Sequence, residues 1–139
     1  MYEAGIVDAV IYNMVNGKTE DERIYSIRVL FNLSYNSEIK ARNYQKVFSQ
    51  MGSVLSNENV EVRSQALLLL RKLLESQKSN VEQDLRLLEP VVRCAKHEAL
   101  TVFEKAMATL QTMVLNNAAE ILFELQNRHE GVRICVNFY

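Results

Sequence analysis

The stretch "VRSQALLLLRKLL", residues 62–74, decides the fold, because its apolar residues recur at the spacing of one helix face. The same residue classes return 40 positions earlier, over 22–33, and 40 positions later, over 102–113. A small residue stands in the middle of each copy, and the aligned columns are Glu22, Val62, Val102; Ser26, Ala66, Ala106; Leu30, Leu70, Leu110; and Leu33, Leu73, Met113. Only Glu22 departs from its column, so the pattern predicts a unit that repeats every 40 residues.

The helices that precede these three copies keep the same interval. Their aligned columns are Val7, Val47, Leu87; Ile11, Met51, Val91; Met14, Val54, Cys94; and Val15, Leu55, Ala95. Each unit is then a helical hairpin that is too thin to bury its own apolar face, so neighbouring hairpins stack and share a core. An antiparallel bundle with regular loops is the alternative that this periodicity leaves open.

Turn-forming residues are scarce, which favours helices over sheets. The chain of 139 residues contains one proline and four glycines, whereas sheet proteins use both freely in tight turns. Asn57 or Asn59 can cap the helix that contains residues 62–74, because asparagine is a preferred residue at that position. Further helices are predicted over 81–96, 98–116 and 118–128, and the terminal "HEGVRICVNFY" is left unassigned.

Composition argues against several classes of function. The chain has 16 basic and 17 acidic residues, and no segment carries the basic excess that a phosphate backbone attracts. No run of about 18 apolar residues occurs, so no membrane insertion is expected. Cys94 and Cys135 are far apart and lack a CxxC partner, which is typical of reduced thiols. We therefore expect a cytoplasmic or nuclear protein that does not bind nucleic acid.

The residues that could carry chemistry are isolated. His97 and His129 lack the neighbours that a zinc site needs, and Cys94 shares its column with buried apolar residues. The role of Cys135 cannot be assigned from the sequence. The three acidic residues at 20–22 stand where a helix N-terminus favours negative charge, which explains them without acid–base catalysis. The sequence thus predicts neither an enzyme nor a site for a cofactor or metal ion.

Three stretches resemble the armadillo repeats and the related HEAT repeats. They are "VRSQALLLLRKLL", "IYSIRVLFNLS" at 24–34, and "AGIVDAVIYNMV" at 4–15, which is similar to the second helix of an armadillo unit. The armadillo Gly-Gly turn is missing where "YQKVF" and "DLRLL" stand, so the later units resemble HEAT repeats equally well. The resemblance implies one domain over 1–139, a right-handed α-solenoid of about three repeats.

The same resemblance bears on the two ends of the chain. Repeat-derived helices are expected over residues 4–116, and residues 117–139 resemble the start of a further, incomplete repeat or a cap. Gly131 would then correspond to Gly5. We expect the chain to be a solenoid truncated at both ends.

In armadillo proteins the third helix of each unit lines a concave binding face. The repeat places one set of residues on the outward side of these helices, and Tyr and Arg are frequent anchors of protein interfaces. Ala108 shares this side but offers no anchoring group. The predicted partner-binding residues are Tyr25, Arg28, Asn32, Tyr35, Gln65, Leu68, Lys72, Lys105 and Thr112.

A comparison with peptide-binding armadillo proteins narrows the range of possible partners. Peptide-binding armadillo proteins use an asparagine on each third helix, and Asn32 matches it, but Lys72 and Thr112 replace it in the next two units. This departure argues against basic nuclear-localisation peptides, whereas Arg28, Lys72 and Lys105 favour an acidic or mixed protein partner. The predicted function is therefore that of an interaction scaffold or adaptor. A self-associating segment (a homo-oligomer) and a helical domain that binds small molecules or acts as an enzyme are the alternatives.

Overall fold

The computed structural model describes residues 4–35, 41–76, 81–96 and 99–128, and within these ranges the chain forms seven α-helices and no strand. The all-α class predicted from the sequence is confirmed. The last three helices begin and end within two residues of the predicted limits. In chain order the helices are α1 Ala4–Asn16, α2 Glu20–Tyr35, α3 Ala41–Leu55, α4 Val60–Ser76, α5 Val81–Ala95, α6 Leu100–Asn116 and α7 Ala118–Arg128.

Local hydrogen bonds explain where α2 and α4 begin. The Thr19 hydroxyl accepts the Glu22 backbone N–H at 3.1 Å, and the Glu22 carboxylate accepts the Lys18 N–H at 2.7 Å. This arrangement is close to a capping box. Asn59 caps α4, as predicted, because its side-chain oxygen accepts the Val62 N–H at 3.0 Å. Glu22 departs from its apolar column because its carboxylate belongs to this exposed cap and not to the core.

The helices contact one another in two rows. The pairs α1–α2, α3–α4 and α5–α6 pack as hairpins. Contacts also run from α1 to α3 to α5, which we call the first row, and from α2 to α4 to α6, which we call the second row. Helix α7 packs against α5 and α6.

Most residues of the predicted columns are buried in the core between the two rows, whereas Glu22 is exposed and Val15 and Leu33 are partly buried. In the second row, Leu30, Leu70 and Leu110 are fully buried, and the small residues Ser26, Ala66 and Ala106 are also buried. In the first row the buried columns are Val7, Val47, Leu87; Ile11, Met51, Val91; and Met14, Val54, Cys94. All of these side chains except Ser26 belong to one continuous apolar cluster that includes residues of every described helix.

Gly17 allows the tight connection between α1 and α2. Its N–H donates to the Asn13 carbonyl at 2.9 Å, which closes the end of α1. A Cβ atom at this position would lie 2.7 Å from the same carbonyl oxygen and 3.1 Å from side-chain carbons of Glu22 and Arg23. The hairpin therefore requires a residue without a side chain at its turn.

Candidate functional site: the second row of helices

The predicted partner-binding residues differ in exposure from helix to helix. On α2, Tyr25 is 63% exposed, and Arg28 and Asn32 are also exposed. The backbone of Tyr35 ends α2, but its side chain lies outside the described part of the structure. The exposed residues of the predicted set are thus concentrated on the first helix of the row.

On α4 and α6 the predicted residues are more buried than expected. Gln65, Leu68 and Lys72 are half-buried, and the Lys105 ammonium donates to the Ser64 hydroxyl of α4 at 2.6 Å. The outward orientation predicted for Thr112 is wrong, because its side chain is buried and its hydroxyl donates to the Ala108 carbonyl at 3.2 Å.

The cause of this difference is the side of each helix on which these residues lie. Because Lys105 reaches back to Ser64, position 105 faces the helix before it, and the 40-residue interval gives Gln65 and Tyr25 the same orientation on their helices. We call this side the upstream flank: Tyr25, Val29 and Asn32 on α2; Gln65, Leu69 and Lys72 on α4; and Lys105, Thr109 and Thr112 on α6.

Burial of the upstream flank depends on the neighbouring helix. Leu69 and Thr109 are 0% exposed where α2 and α4 cover them, whereas the equivalent Val29 is 42% exposed. The residues equivalent to Tyr25 and Asn32 show the same trend. Those two are exposed on α2, whereas their equivalents on α4 and α6 are half-buried or buried. Part of the predicted binding face is therefore a stacking surface, open only on α2.

The side of the second row farthest from the first row has a different set of residues. This outer face consists of Arg28, Leu68, Arg71, Glu104 and Ala108, and each is exposed or half-buried. Between α4 and α6 it contains a groove of about 210 Å³, lined by Leu67, Leu68, Arg71, Glu104, Lys105 and Ala108.

The charges around this groove have both signs. Arg71 lies 3.6 Å from Glu75, with both side chains about half exposed, and Glu104 lines the opposite side of the groove. The predicted series of three cations is modified, because Lys105 is occupied by Ser64. Sequence reasoning missed Arg71 and Glu104, although the repeat itself could have found them as the residues that flank positions 68 and 108.

Cys94 is buried in the core. Burial raises the pKa of the Cys94 thiol, an effect that Arg63 and Arg93 oppose, and the thiol donates to the Leu55 carbonyl at 3.6 Å. Such a thiol is poor in reactive thiolate at neutral pH. Its burial confirms the prediction that Cys94 is a core residue.

The other candidate residues are the possible metal ligands and the acidic residues at 20–22. Within the described ranges, no three His, Cys, Asp or Glu side chains are grouped so that they could hold a metal ion. The residues His97, His129 and Cys135 lie outside those ranges. The acidic residues at 20–22 stand in the first turn of α2, as predicted.

A second hollow, of about 500 Å³, lies where the start of α2 meets the loop before α4. It is lined by Glu20, Arg23, Asn57, Glu58 and Asn59. Arg23 already pairs with Glu20 at 2.8 Å, and Asn59 caps α4. These polar groups mainly organise the two helix starts.

We also searched for a membrane-spanning helix and for similar proteins. No helix in the described parts of the chain is both long and apolar enough to cross a bilayer. Comparisons with protein-family models, curated proteins and solved structures find no match for this chain. Its function must therefore be inferred from the second row of helices.

Proposed function

We propose that this chain is a right-handed α-solenoid of about three armadillo- or HEAT-like repeats and that it acts as a protein-interaction scaffold. Two observations support the solenoid: hairpins that contact in two rows, and buried columns that recur every 40 residues. Stacked hairpins of this kind present extended surfaces on which partners bind.

The observation that carries the proposed function is the groove on the outer face between α4 and α6. Its volume of about 210 Å³ is below the roughly 300–1,000 Å³ of small-molecule sites. Leu67 and Leu68 make its floor apolar, while Arg71, Glu104 and Lys105 place charges at its edges. An apolar side chain of a bound segment, with polar groups beside it, fits this arrangement better than a metabolite.

The charges around the groove favour a mixed partner over a purely acidic one. Arg28 and Arg71 place positive charge on the outer face, but Glu75 and Glu104 would repel a uniformly acidic segment. We therefore propose a peptide or protein surface that presents an apolar anchor between acidic and basic residues. Exposed charges of this kind contribute more to specificity and association rate than to affinity.

A capture experiment with matched variants tests this function. The parent protein, the double variant Leu68→Glu with Arg71→Glu, and the control Arg86→Glu are used to capture proteins from a cell lysate, followed by mass spectrometry. Leu68 and Arg71 both line the groove. Arg86 lies on α5 in the first row, and its side chain is 74% exposed. We expect at least one protein to be retained by the parent and the control and lost by the double variant.

The captured partner is then measured by isothermal titration. We expect the double variant to weaken binding by about 2 kcal/mol or more, because a carboxylate enters the apolar groove at the contact centre. Equal capture and equal affinity for the double variant and the parent would mean that the partner does not bind the outer face.

A further inference from the structure

The upstream flank of α2 is an exposed surface that no helix of the described structure covers. Tyr25 and Val29 are exposed there, although the equivalent Leu69 and Thr109 are completely buried by neighbouring helices. The chain thus already uses this type of surface twice for helix packing. On α2 the same surface contains an aromatic and a β-branched side chain, both suited to packing against another helix.

The charged residues beside Tyr25 and Val29 indicate which kind of helix could pack against α2. Asp21 stands one turn before Tyr25 on this side of α2, and Arg28 stands close to one turn after it. Asp21 and Arg28 are exposed, and among the described residues neither forms a salt bridge. Read in either direction along the helix, the order is a charge, an apolar centre and the opposite charge.

Such an order complements itself when two copies of the helix pack antiparallel. A two-fold axis near Tyr25 places Asp21 of each copy beside Arg28 of the other, with Tyr25 between the two ion pairs and Val29 just beyond Arg28. Asp21 and Arg28 are seven residues apart, or about 10 Å along a helix, so both pairs form in one contact. From this geometry we infer that α2 mediates a two-fold symmetric dimer of this chain.

The contact is small and its affinity is correspondingly low. It involves one face of a 16-residue helix from each copy, and interfaces below about 1,200 Å² are characteristic of weak or transient complexes. The expected dissociation constant is about 10–100 µM, in the range where dimers and monomers coexist. Arg28 belongs both to this contact and to the outer face, but it does not line the α4–α6 groove, so the dimer can form without a partner in the groove.

Charge-swap variants test this dimer by analytical ultracentrifugation between about 5 and 500 µM, in a buffer of low ionic strength. We expect the parent to dimerise. Arg28→Asp alone and Asp21→Arg alone should each weaken dimerisation about tenfold or more, because both symmetric pairs become repulsive. An equimolar mixture of the two variants should dimerise, since one variant then carries acidic side chains at both positions and the other carries basic side chains at both.

Replacing a large exposed side chain with aspartate provides the second measurement. Tyr25→Asp should abolish the dimer, because Tyr25 lies between the two ion pairs. Tyr12→Asp should leave the dimer unchanged, because Tyr12 is about as exposed, at 65% against 63%, but lies on α1. Circular dichroism confirms that each variant is folded. A parent that remains monomeric at 500 µM would overturn the inference. So would a dimer insensitive to Tyr25→Asp, or charge variants that fail to restore dimerisation when mixed.

Discussion

Replacing Ala66 with leucine is expected to lower the free energy of unfolding by about 1–3 kcal/mol. Ala66 is completely buried in the middle of α4, in the column that contains Ser26 and Ala106. The small side chain at this position lets α4 pack closely against its neighbours in both rows. Three additional carbon atoms have no space there, so the helices must separate or the leucine must adopt a strained rotamer.

Urea unfolding followed by circular dichroism measures this loss. Ser26→Ala is the matched control, because it changes the same column without adding volume. The Ser26 hydroxyl donates only to the Glu22 carbonyl of its own helix, at 2.9 Å, so its removal should change stability by less than about 1 kcal/mol. If Ala66→Leu is as stable as the parent, the small-residue column does not mark a close helix contact.

Replacing Asp84 with leucine is expected to destabilise the protein by about 2–3 kcal/mol. Asp84 lies on α5, is completely buried, and accepts a hydrogen bond from the Asn117 side-chain amide. Asn117 also begins α7, since its carbonyl accepts the Ile121 N–H at 3.0 Å. The substitution leaves the Asn117 amide without this acceptor and loosens the attachment of α7.

Hydrogen exchange locates the effect of this substitution. The amides of α7, including those of Ile121 and Leu125, should exchange much faster in Asp84→Leu, while those in the centre of α4 keep more of their protection. The control Glu82→Ala changes an exposed residue that pairs only with Arg86, at 2.7 Å, and should alter stability by less than about 0.5 kcal/mol. Unchanged protection of α7 would contradict the role assigned to Asp84.

Much of the helical core could be predicted because burial repeats with the sequence. Leu30, Leu70 and Leu110 occupy equivalent places between the rows, so the interval of 40 residues in the sequence is enough to predict that all three are core residues. The cap at Asn59 followed from local chemistry, since a side-chain oxygen must satisfy the first N–H groups of a helix. These features depend on one helix or on one repeated contact.

The binding surface could be predicted only in part, because the repeat treats every unit as equal. Thr112 and Asn32 share a position, yet Thr112 is buried and Asn32 is exposed. The difference arises from neighbours: α4 covers the upstream flank of α6, whereas no described helix covers that of α2. The contact of Lys105 with Ser64 likewise depends on the two residues that meet there, which an interval alone does not specify.

If the 40-residue hairpins stack side by side, the chain should accept one additional hairpin. Residues 38–77, which contain α3 and α4, are repeated once within the chain to give 139 + 40 = 179 residues. A stack can accept a unit between its neighbours, whereas a closed helical bundle has no place for an extra hairpin.

Denaturant unfolding of the lengthened protein measures the outcome. The stacked arrangement predicts one cooperative transition, unchanged helicity per residue, and an m-value higher by about three-tenths, in proportion to the added surface buried. An m-value equal to that of the parent, together with rapid proteolysis of the inserted residues, would show that the added hairpin does not join the core and would contradict the repeat.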